Sequence, residues 1–343
     1  MIDETTEAIA NTLEAWLAID SVTPNEASFL GHLAQNVFGA LGYDVHEQRV
    51  SQTRWNLIAT RGNQNPALLY STHVDTVPPF LPVRREGDRI YGRGACDTKG
   101  GLLAMVLAAE RLQSEEVGFL LVVGEEVDHI GAKTSGSLDL SPTQIILCEP
   151  TINRVVRAQK GMIKLICSAK GVAAHSAYPA RGESALHKLI DGLHGLLHEE
   201  AWPTNEALLG PTTINVGLLE GGVAANVFAP HAEATLLFRT VAPTRDYLPI
   251  IERVAKKHGI EAQVLVENDP VFFDTPDALD AIDYCTVSFN TDASYLSKLG
   301  PIWLVGPGDI EVAHTDHEHI DLDELIKGIA LYEKLGRHAL ANR

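Results

Sequence analysis

Short apolar runs alternate with helix-like segments through the first part of this chain, up to Glu149-Pro150. The predicted strands are at 56–60, 68–71, 119–123 and 145–147, and the predicted helices are at 5–19, after Thr23-Pro24 and at 102–112. Strands that alternate with helices usually form a parallel sheet covered by helices. We therefore predict an α/β fold whose main domain has a mostly parallel sheet.

The pattern changes after Pro150. Strands with alternating polarity are predicted at 162–169 and 232–240, a further strand at 262–267, and helices at 184–198 and 247–258. This β-α-β-α-β order predicts a smaller α+β domain inserted at 159–268, with residues 1–158 and 269–343 forming the main domain. A chain of 343 residues is also longer than one hydrophobic core usually supports.

Charge and composition exclude several classes of protein. The net charge is −18, which argues against binding to nucleic acid or to an anionic membrane surface. The amino-terminal residues lack the basic and apolar regions of a signal peptide, and no apolar run reaches the ~20 residues of a membrane span. The four cysteines form no CxxC pair, so we expect a reduced, cytoplasmic protein.

Polar side chains that can bind metals recur just after the predicted strands. They are His73, Asp75, Asp97, Glu125, Glu126 and Glu149. Because ligands of open α/β sheets collect beyond the carboxyl ends of the strands, we expect these side chains to meet at one edge. Clustered carboxylates repel one another unless a cation neutralises them, so the pattern indicates a metal site.

The spacing of these residues suggests different tasks. His73 and Asp75 are two residues apart and point to the same face of an extended strand, so Asp75 can orient the imidazole of His73. Glu125 and Glu126 are adjacent, so their side chains diverge. One can bind a metal while the other acts as a general base.

Taken together, the motifs resemble the M20 family of metallopeptidases and deacylases, which includes acetylornithine deacetylase, succinyl-diaminopimelate desuccinylase and glutamate carboxypeptidase. The matching segments, in family order, are 71–78, 92–101, Gly124-Glu125-Glu126, Glu149-Pro150-Thr151, 174–179 and Ala313-His314. This resemblance implies a catalytic domain with an inserted lid and dimerisation domain. It also implies two divalent metal ions, with zinc expected and cobalt or manganese as alternatives.

The resemblance further implies a role for each matching residue. His73 and Glu149 would hold one metal, Glu126 and His314 the other, and Asp97 would bridge both, with Glu125 as general base and Asp75 orienting His73. His175 of the lid would reach the substrate of the partner subunit and stabilise the oxyanion. Asn226 and Arg239 would bind the carboxylate or acyl end of the substrate.

Three assignments stay open at this point. His317 and His319 compete with His314 as a ligand, although the preceding alanine and the position of Glu318 favour His314. His194 and His198 could bind a metal, but a solvated helix face is the preferred interpretation because no third ligand is evident. Cys96 and Cys148 precede proposed ligands and are interpreted as buried packing residues.

The preferred substrate is a small N-acyl amino acid, first of all N-acetylornithine, which would place the enzyme in arginine biosynthesis. N-acetylcitrulline, N-acetyl-lysine, succinyl-diaminopimelate and dipeptides remain open. The second hypothesis is a metal-dependent dipeptidase or carboxypeptidase, and the third is a noncatalytic binding protein of the same fold. By resemblance we also expect a homodimer that forms through the lid domain.

Overall fold

The fold is described from a computed structural model that covers residues 4–205, 207–276 and 279–342. Its α-helices, α1 to α8 in chain order, are Thr6–Leu17, Ala27–His32, Gly100–Leu112, Ile130–Ser135, Ala185–Leu197, Leu248–His258, Ala293–Leu296 and Leu322–Ala341. Its strands, β1 to β18, are Asp44–Arg49, Trp55–Thr60, Leu68–His73, Arg84–Glu86, Arg89–Tyr91, Val117–Val122, Gln144–Leu147, Val155–Gln159, Gly161–Lys170, Thr204–Asn205, Gly210–Pro211, Thr213–Gly221, His231–Thr240, Glu261–Asn268, Val271–Phe272, Tyr284–Val287, Ile302–Leu304 and His319–Asp321. Short helical turns of other types occur at Leu33–Phe38, Ala95–Lys99, Pro179–Arg181 and Thr244–Asp246.

The chain divides into two compact units. Unit 1 contains residues 1–157, 273–285 and 291–343, and unit 2 contains residues 158–272 and 286–290. Each unit has its own cluster of buried apolar side chains.

Unit 1 is built on a six-stranded sheet with the order β1-β2-β6-β3-β7-β17. Strands β6, β3, β7 and β17 are parallel, whereas β1 and β2 are antiparallel additions at one edge. His73, the last residue of β3, pairs with Val122, the last residue of β6. The predicted α/β class is therefore confirmed, and the parallel strands deliver their carboxyl ends to one edge of the sheet.

Helix α3 is apolar on every side, and this explains its place inside unit 1. Its residues from Gly100 to Ala109 are all buried, and α8 packs against it. A helix that is hydrophobic all round must be covered on all sides. Gly100 and Gly101 give the amino-terminal end of α3 a very close approach to the loops that carry the polar side chains.

Unit 2 is a four-stranded antiparallel sheet, β12-β13-β9-β14, with helices α5 and α6 against one face. The buried positions of β9 alternate along the strand, as expected for a sheet with one covered face. The sequence pattern predicted three strands here, and the structure has a fourth, β12. This strand lies at the edge of the sheet and is mostly exposed, so it lacks a strict apolar alternation.

Among the residues described, no helix combines the length and the apolar character that crossing a membrane requires.

Candidate metal centre and active site

Asp97 lies at the centre of a cluster of possible metal ligands in unit 1. Its Oδ1 is 3.0 Å from Nε2 of His73, and its Oδ2 is 3.2 Å from Nε2 of His314. The Nε2 atom of His314 is also 3.1 Å from Oε1 of Glu126. Ligand atoms of His73, Asp97 and Glu126 all lie within 4.8 Å of one another. The two oxygens of one carboxylate thus face two different histidines.

The fold explains why these side chains meet. His73 ends β3, Glu126 follows β6 after a turn at Gly124, and Asp97 sits in the turn that leads into α3. Both Gly94 and Gly124 have φ values in the left-handed region, at 88° and 78°, which glycine adopts without the steric cost that other residues incur. The chain can therefore turn sharply at the strand ends and direct the following side chains to one place.

The charges in this cluster shift one another. Burial opposes ionisation of Asp97, but hydrogen bonds with His314 and His73 outweigh it and hold the pKa of the Asp97 carboxyl below its usual range. Hydrogen bonds to Asp97 and Glu126 raise the pKa of His314 to about 10. Burial raises the pKa of Glu126. The negative charge of the carboxylates in this cluster thus exceeds the positive charge that the two imidazoles can carry. A bound cation stabilises such an arrangement.

Glu149, which follows β7, has the clearest need for a cation. The residue is 4% exposed, and its Oε1 atom has no hydrogen-bond partner among the described residues. Burial raises the pKa of Glu149 well above its usual value, and the charge of His73 counteracts this only in part. A buried carboxylate oxygen without a partner is costly unless a metal coordinates it. The donor set of imidazoles and carboxylates around Asp97 therefore fits a divalent metal.

Asp75 has a different set of contacts from the one predicted. Its carboxylate accepts hydrogen bonds from the backbone N–H groups of Gly124, Glu125 and Glu126 at 2.8, 3.1 and 3.2 Å. The Nδ1 atom of His73 lies 2.9 Å from the backbone oxygen of Asp75 and 3.7 Å from its carboxylate. The carbonyl group thus orients the imidazole, while the carboxylate fixes the turn that carries the two glutamates.

Glu125 points into the same buried region, with a side chain that is 11% exposed. Burial raises its pKa well above the usual value, and the nearby charges of Glu149 and Asp292 add to the effect. Its Oε1 atom lies 3.6 Å from Nδ1 of His129. Sequence reasoning missed His129 and Asp292; the one available signal was that His129 follows Glu125 by four residues.

The structure separates the three competing histidines. His314, with a left-handed φ of 64°, contacts Asp97 and Glu126. His319 instead lies beside the ring of Tyr91, with ring centroids 5.2 Å apart, and its Nδ1 is 2.7 Å from the backbone oxygen of His317. His317 is exposed. Of the three, His314 is the one that lies within reach of the carboxylates.

The weaker candidates lie outside this cluster. The rings of His194 and His198 are stacked on an exposed helix face, with centroids 4.2 Å apart. Neither residue belongs to a cluster of three or more possible metal ligands among the described residues. Cys96 and Cys148 are buried, and their thiols belong to neither cluster. Burial raises the pKa of Cys148 to about 12, which keeps the thiol protonated.

Unit 2 carries the predicted lid residues. His175 is exposed, and its Nδ1 accepts a hydrogen bond from the backbone N–H of Ala177 at 3.1 Å. The backbone oxygen of Asn226 accepts a hydrogen bond at 2.9 Å from the backbone N–H of Ser176, the residue that follows His175. Arg239 lies on β13, and its charge contributes to lowering the pKa of Lys160, after burial.

The sequence model described as Peptidase family M20/M25/M40 matches residues 69–338. The chain belongs to the M20 peptidase family. Among its relatives is a peptidase M20 domain-containing protein of Schizosaccharomyces pombe, 34% identical over 329 residues that cover 92% of this chain and 81% of the relative. Another is a protein of Aspergillus flavus named "probable carboxypeptidase", 33% identical, with 95% of this chain and 86% of the relative covered.

Solved M20 structures share the fold. Aminopeptidase PepT from Bacillus cereus superposes with a TM-score of 0.78 at 22% identity, covering 98% of this chain and 99% of the other. The M20 family metallo-carboxypeptidase Sso-CP2 from Sulfolobus solfataricus has a TM-score of 0.76 at 18% identity, covering 98% and 100%. As an M20 family member, the chain is a metal-dependent hydrolase that uses a divalent metal and acts on small peptide or amide substrates.

Proposed function

We propose that this M20 enzyme is a two-metal exopeptidase that releases a residue with a free carboxylate from a dipeptide or another short peptide. The observation that carries the proposal is the position of Asp97, whose two carboxylate oxygens face His73 and His314 separately. One metal would be held by His73 and Glu149, the other by Glu126 and His314, with Asp97 shared. The names of the curated relatives support peptidase chemistry.

Zinc is the proposed metal because it suits mixed imidazole and carboxylate ligands, although cobalt and manganese accept the same set. When bound, such cations polarise the scissile carbonyl and lower the pKa of water toward neutrality. The protein contributes a rigid frame for them. Support comes from the burial of Asp97 and Glu149 and from the backbone hydrogen bonds that fix Asp75 and its neighbours.

Glu125 is the proposed general base. It takes a proton from the attacking water and delivers it to the nitrogen of the departing amine. Its side chain is 11% exposed and directly precedes the proposed ligand Glu126, so it lies where a carboxylate can accept the proton of the attacking water and later release it.

The proposed substrate contacts of unit 2 are those of His175, Asn226 and Arg239. Because Nδ1 of His175 accepts a hydrogen bond, the neutral ring carries its proton on Nε2 and can donate it to an oxyanion. Such a donor is typically worth about 3 kcal/mol in the transition state. Arg239 and the nearby Lys160 supply positive charge for a substrate carboxylate. N-acetylornithine also carries a free carboxylate that these positive charges could bind. Deacylation of N-acetylornithine is therefore the second proposed activity.

A homodimer through unit 2 is part of the proposal. The edge strand β12 exposes Leu218 and Leu219, which are 64% and 52% accessible, and the neighbouring helix α5 exposes Ile190. Apolar side chains along an edge strand favour pairing with another chain. His175 would then act in the active site of the partner subunit. Sedimentation of the wild-type protein and of Leu218→Lys would test this, with a dimer expected for the wild type and a monomer for the variant.

The activity is tested by incubating the zinc-loaded enzyme with unblocked dipeptides, with the same dipeptides as carboxyl-terminal amides, and with N-acetylornithine. We expect release of free amino acids from the unblocked dipeptides and little from the amides. Release of acetate from N-acetylornithine at a higher kcat/KM would instead establish the deacylase.

Glu125→Gln should keep its metal content and lose about 10²- to 10⁴-fold in kcat. Retained turnover in this variant would refute the role of Glu125.

A further inference from the structure

A second polar cluster, formed by His129 and Asp292, lies next to the side chain of Glu125. The Nδ1 atom of His129 is 2.9 Å from Oδ1 of Asp292 and 3.6 Å from Oε1 of Glu125. His129 is 5% exposed and Asp292 is 1% exposed. The Oδ2 atom of Asp292 is buried and has no hydrogen-bond partner among the described residues. One imidazole N–H therefore faces two carboxylates that water reaches poorly.

The distances show how this N–H is shared. At 2.9 Å the contact with Asp292 is an ordinary hydrogen bond, whereas 3.6 Å to Glu125 is just beyond one. A small rotation of the Glu125 side chain brings its oxygen into range. Glu125 gains and loses negative charge during the proposed reaction, so a donor at this position can hold the charged carboxylate in one orientation.

The backbone fixes His129 at this position. Its N–H donates to the carbonyl of Gly124 at 2.7 Å, so the residue is tied to the turn that carries Glu125 and Glu126. Its φ of 55° is left-handed, and the imidazole packs near the ring of Tyr295, with ring centroids 5.4 Å apart. The imidazole is thus held by its backbone, by Asp292 and by an aromatic neighbour.

We propose that His129, held by Asp292, is a positioning residue that aims the Glu125 carboxylate at the reacting water. This inference rests on the proposed role of Glu125 as general base. In this proposal His129 contacts neither the substrate nor the attacking water, and it transfers no proton. It acts by restricting the directions in which the Glu125 carboxylate can point.

The test uses a pair of substitutions that both tolerate the left-handed backbone. His129→Gly removes the donor, whereas His129→Asn retains an N–H close to the position of Nδ1, and glycine and asparagine are the residues that adopt positive φ most readily. We expect His129→Gly to lower kcat by about 10- to 100-fold, the usual effect of a misplaced catalytic group. KM should change by less than about threefold, because substrate contacts are kept. His129→Asn should recover most of the lost kcat.

Three further measurements decide the interpretation. In the Glu125→Gln background, His129→Gly should cause no additional loss, because His129 acts through Glu125. Gln113→Gly is the matched control, because Gln113 is an exposed residue outside the site with a left-handed φ of 48°, and it should leave kcat unchanged. Elemental analysis should find the same metal content in the wild type and in His129→Gly, with both proteins folded by circular dichroism.

The outcomes that contradict the inference are distinct from those that contradict the proposed function. Wild-type kcat in His129→Gly, with Glu125→Gln inactive, would overturn the positioning role alone. Loss of bound metal in His129→Gly would also overturn it, because His129 would then act on metal binding rather than on the orientation of Glu125. An active Glu125→Gln variant would instead overturn the proposed mechanism.

Discussion

Asp97 is supported from behind by a buried ion pair. Nη1 of Arg93 donates to Oε2 of Glu318 at 2.6 Å, and the two side chains are 2% and 0% exposed. The other oxygen of Glu318 accepts from the backbone N–H groups of Gly94 and Asp97 at 2.9 and 3.3 Å. Glu318 therefore shapes the turn that presents Asp97, although it lies 221 residues further along the chain.

Removing one partner of this ion pair should be strongly destabilising. Glu318→Ala leaves the Arg93 guanidinium buried without its carboxylate, and breaking a buried pair in this way costs about 3–5 kcal/mol. Urea unfolding in the presence of a chelator measures the free energy of unfolding without a contribution from metal. The matched control is Glu86→Ala, whose ion pair with Arg84 is exposed and should contribute nothing measurable. Equal effects of the two substitutions would contradict this account of Glu318.

Part of the candidate site could be predicted from the sequence at the level of single residues. Polar residues after apolar strands pointed to His73, Asp97 and Glu149, because the position of a strand end follows from local pattern. The partners of Asp75 could not be predicted, since its carboxylate binds backbone N–H groups about 50 residues away. His129 and Asp292 were missed for the same reason, as 163 residues separate them.

At the level of elements, the amino-terminal end of helix α3 packs directly on the segment that follows β7. A Cβ atom at Gly101 would overlap the sulfur of Cys148, the residue before Glu149. The absence of a side chain at Gly101 thus allows the helix to approach Glu149 closely. The requirement for glycine here comes from packing, because the helical backbone itself suits any good helix former.

Gly101→Ala should therefore weaken metal binding. The added methyl group must displace Cys148, and overpacking of this kind costs about 1–3 kcal/mol. Competition with a chelating dye would measure the loss in zinc affinity. The double variant Gly101→Ala/Cys148→Ala should recover affinity, because it removes the overlapping sulfur. Gly31→Ala in α2 is the control, since a Cβ there meets no atom within 4 Å. A double variant no better than Gly101→Ala alone would refute the packing argument.

Elements with a strong apolar pattern were predicted well from the sequence, whereas some exposed strands were missed. The strand predicted at 145–147 and the helix predicted at 102–112 correspond to β7 and α3, whose side chains are almost entirely buried. Strands β1 and β12 escaped prediction because they lie at sheet edges and expose most of their residues. Burial creates the periodic signal, so an edge strand that buries little provides little signal.

At the scale of the whole molecule, the hydrophobic residues form separate cores. The core of unit 1 surrounds α3 and the six-stranded sheet, and the core of unit 2 lies between its sheet and helices α5 and α6. All the candidate metal ligands around Asp97 belong to unit 1. Metal binding is therefore linked directly to the folding of unit 1 alone.

This separation predicts two thermal transitions that respond differently to metal. A ligand present at 100 times its Kd stabilises the unit that binds it by about 2.7 kcal/mol. For a unit of this size, that corresponds to a rise in Tm of about 5–10 °C. Scanning calorimetry with chelator and then with zinc should move the transition of unit 1 and leave that of unit 2 in place.

Hydrogen exchange would assign each transition, with amides of β3 and β6 reporting on unit 1 and those of β9 and β13 on unit 2. In Asp97→Asn, the zinc-dependent shift should disappear. A single transition that moves as a whole with zinc would show instead that the two units unfold together, despite their separate cores.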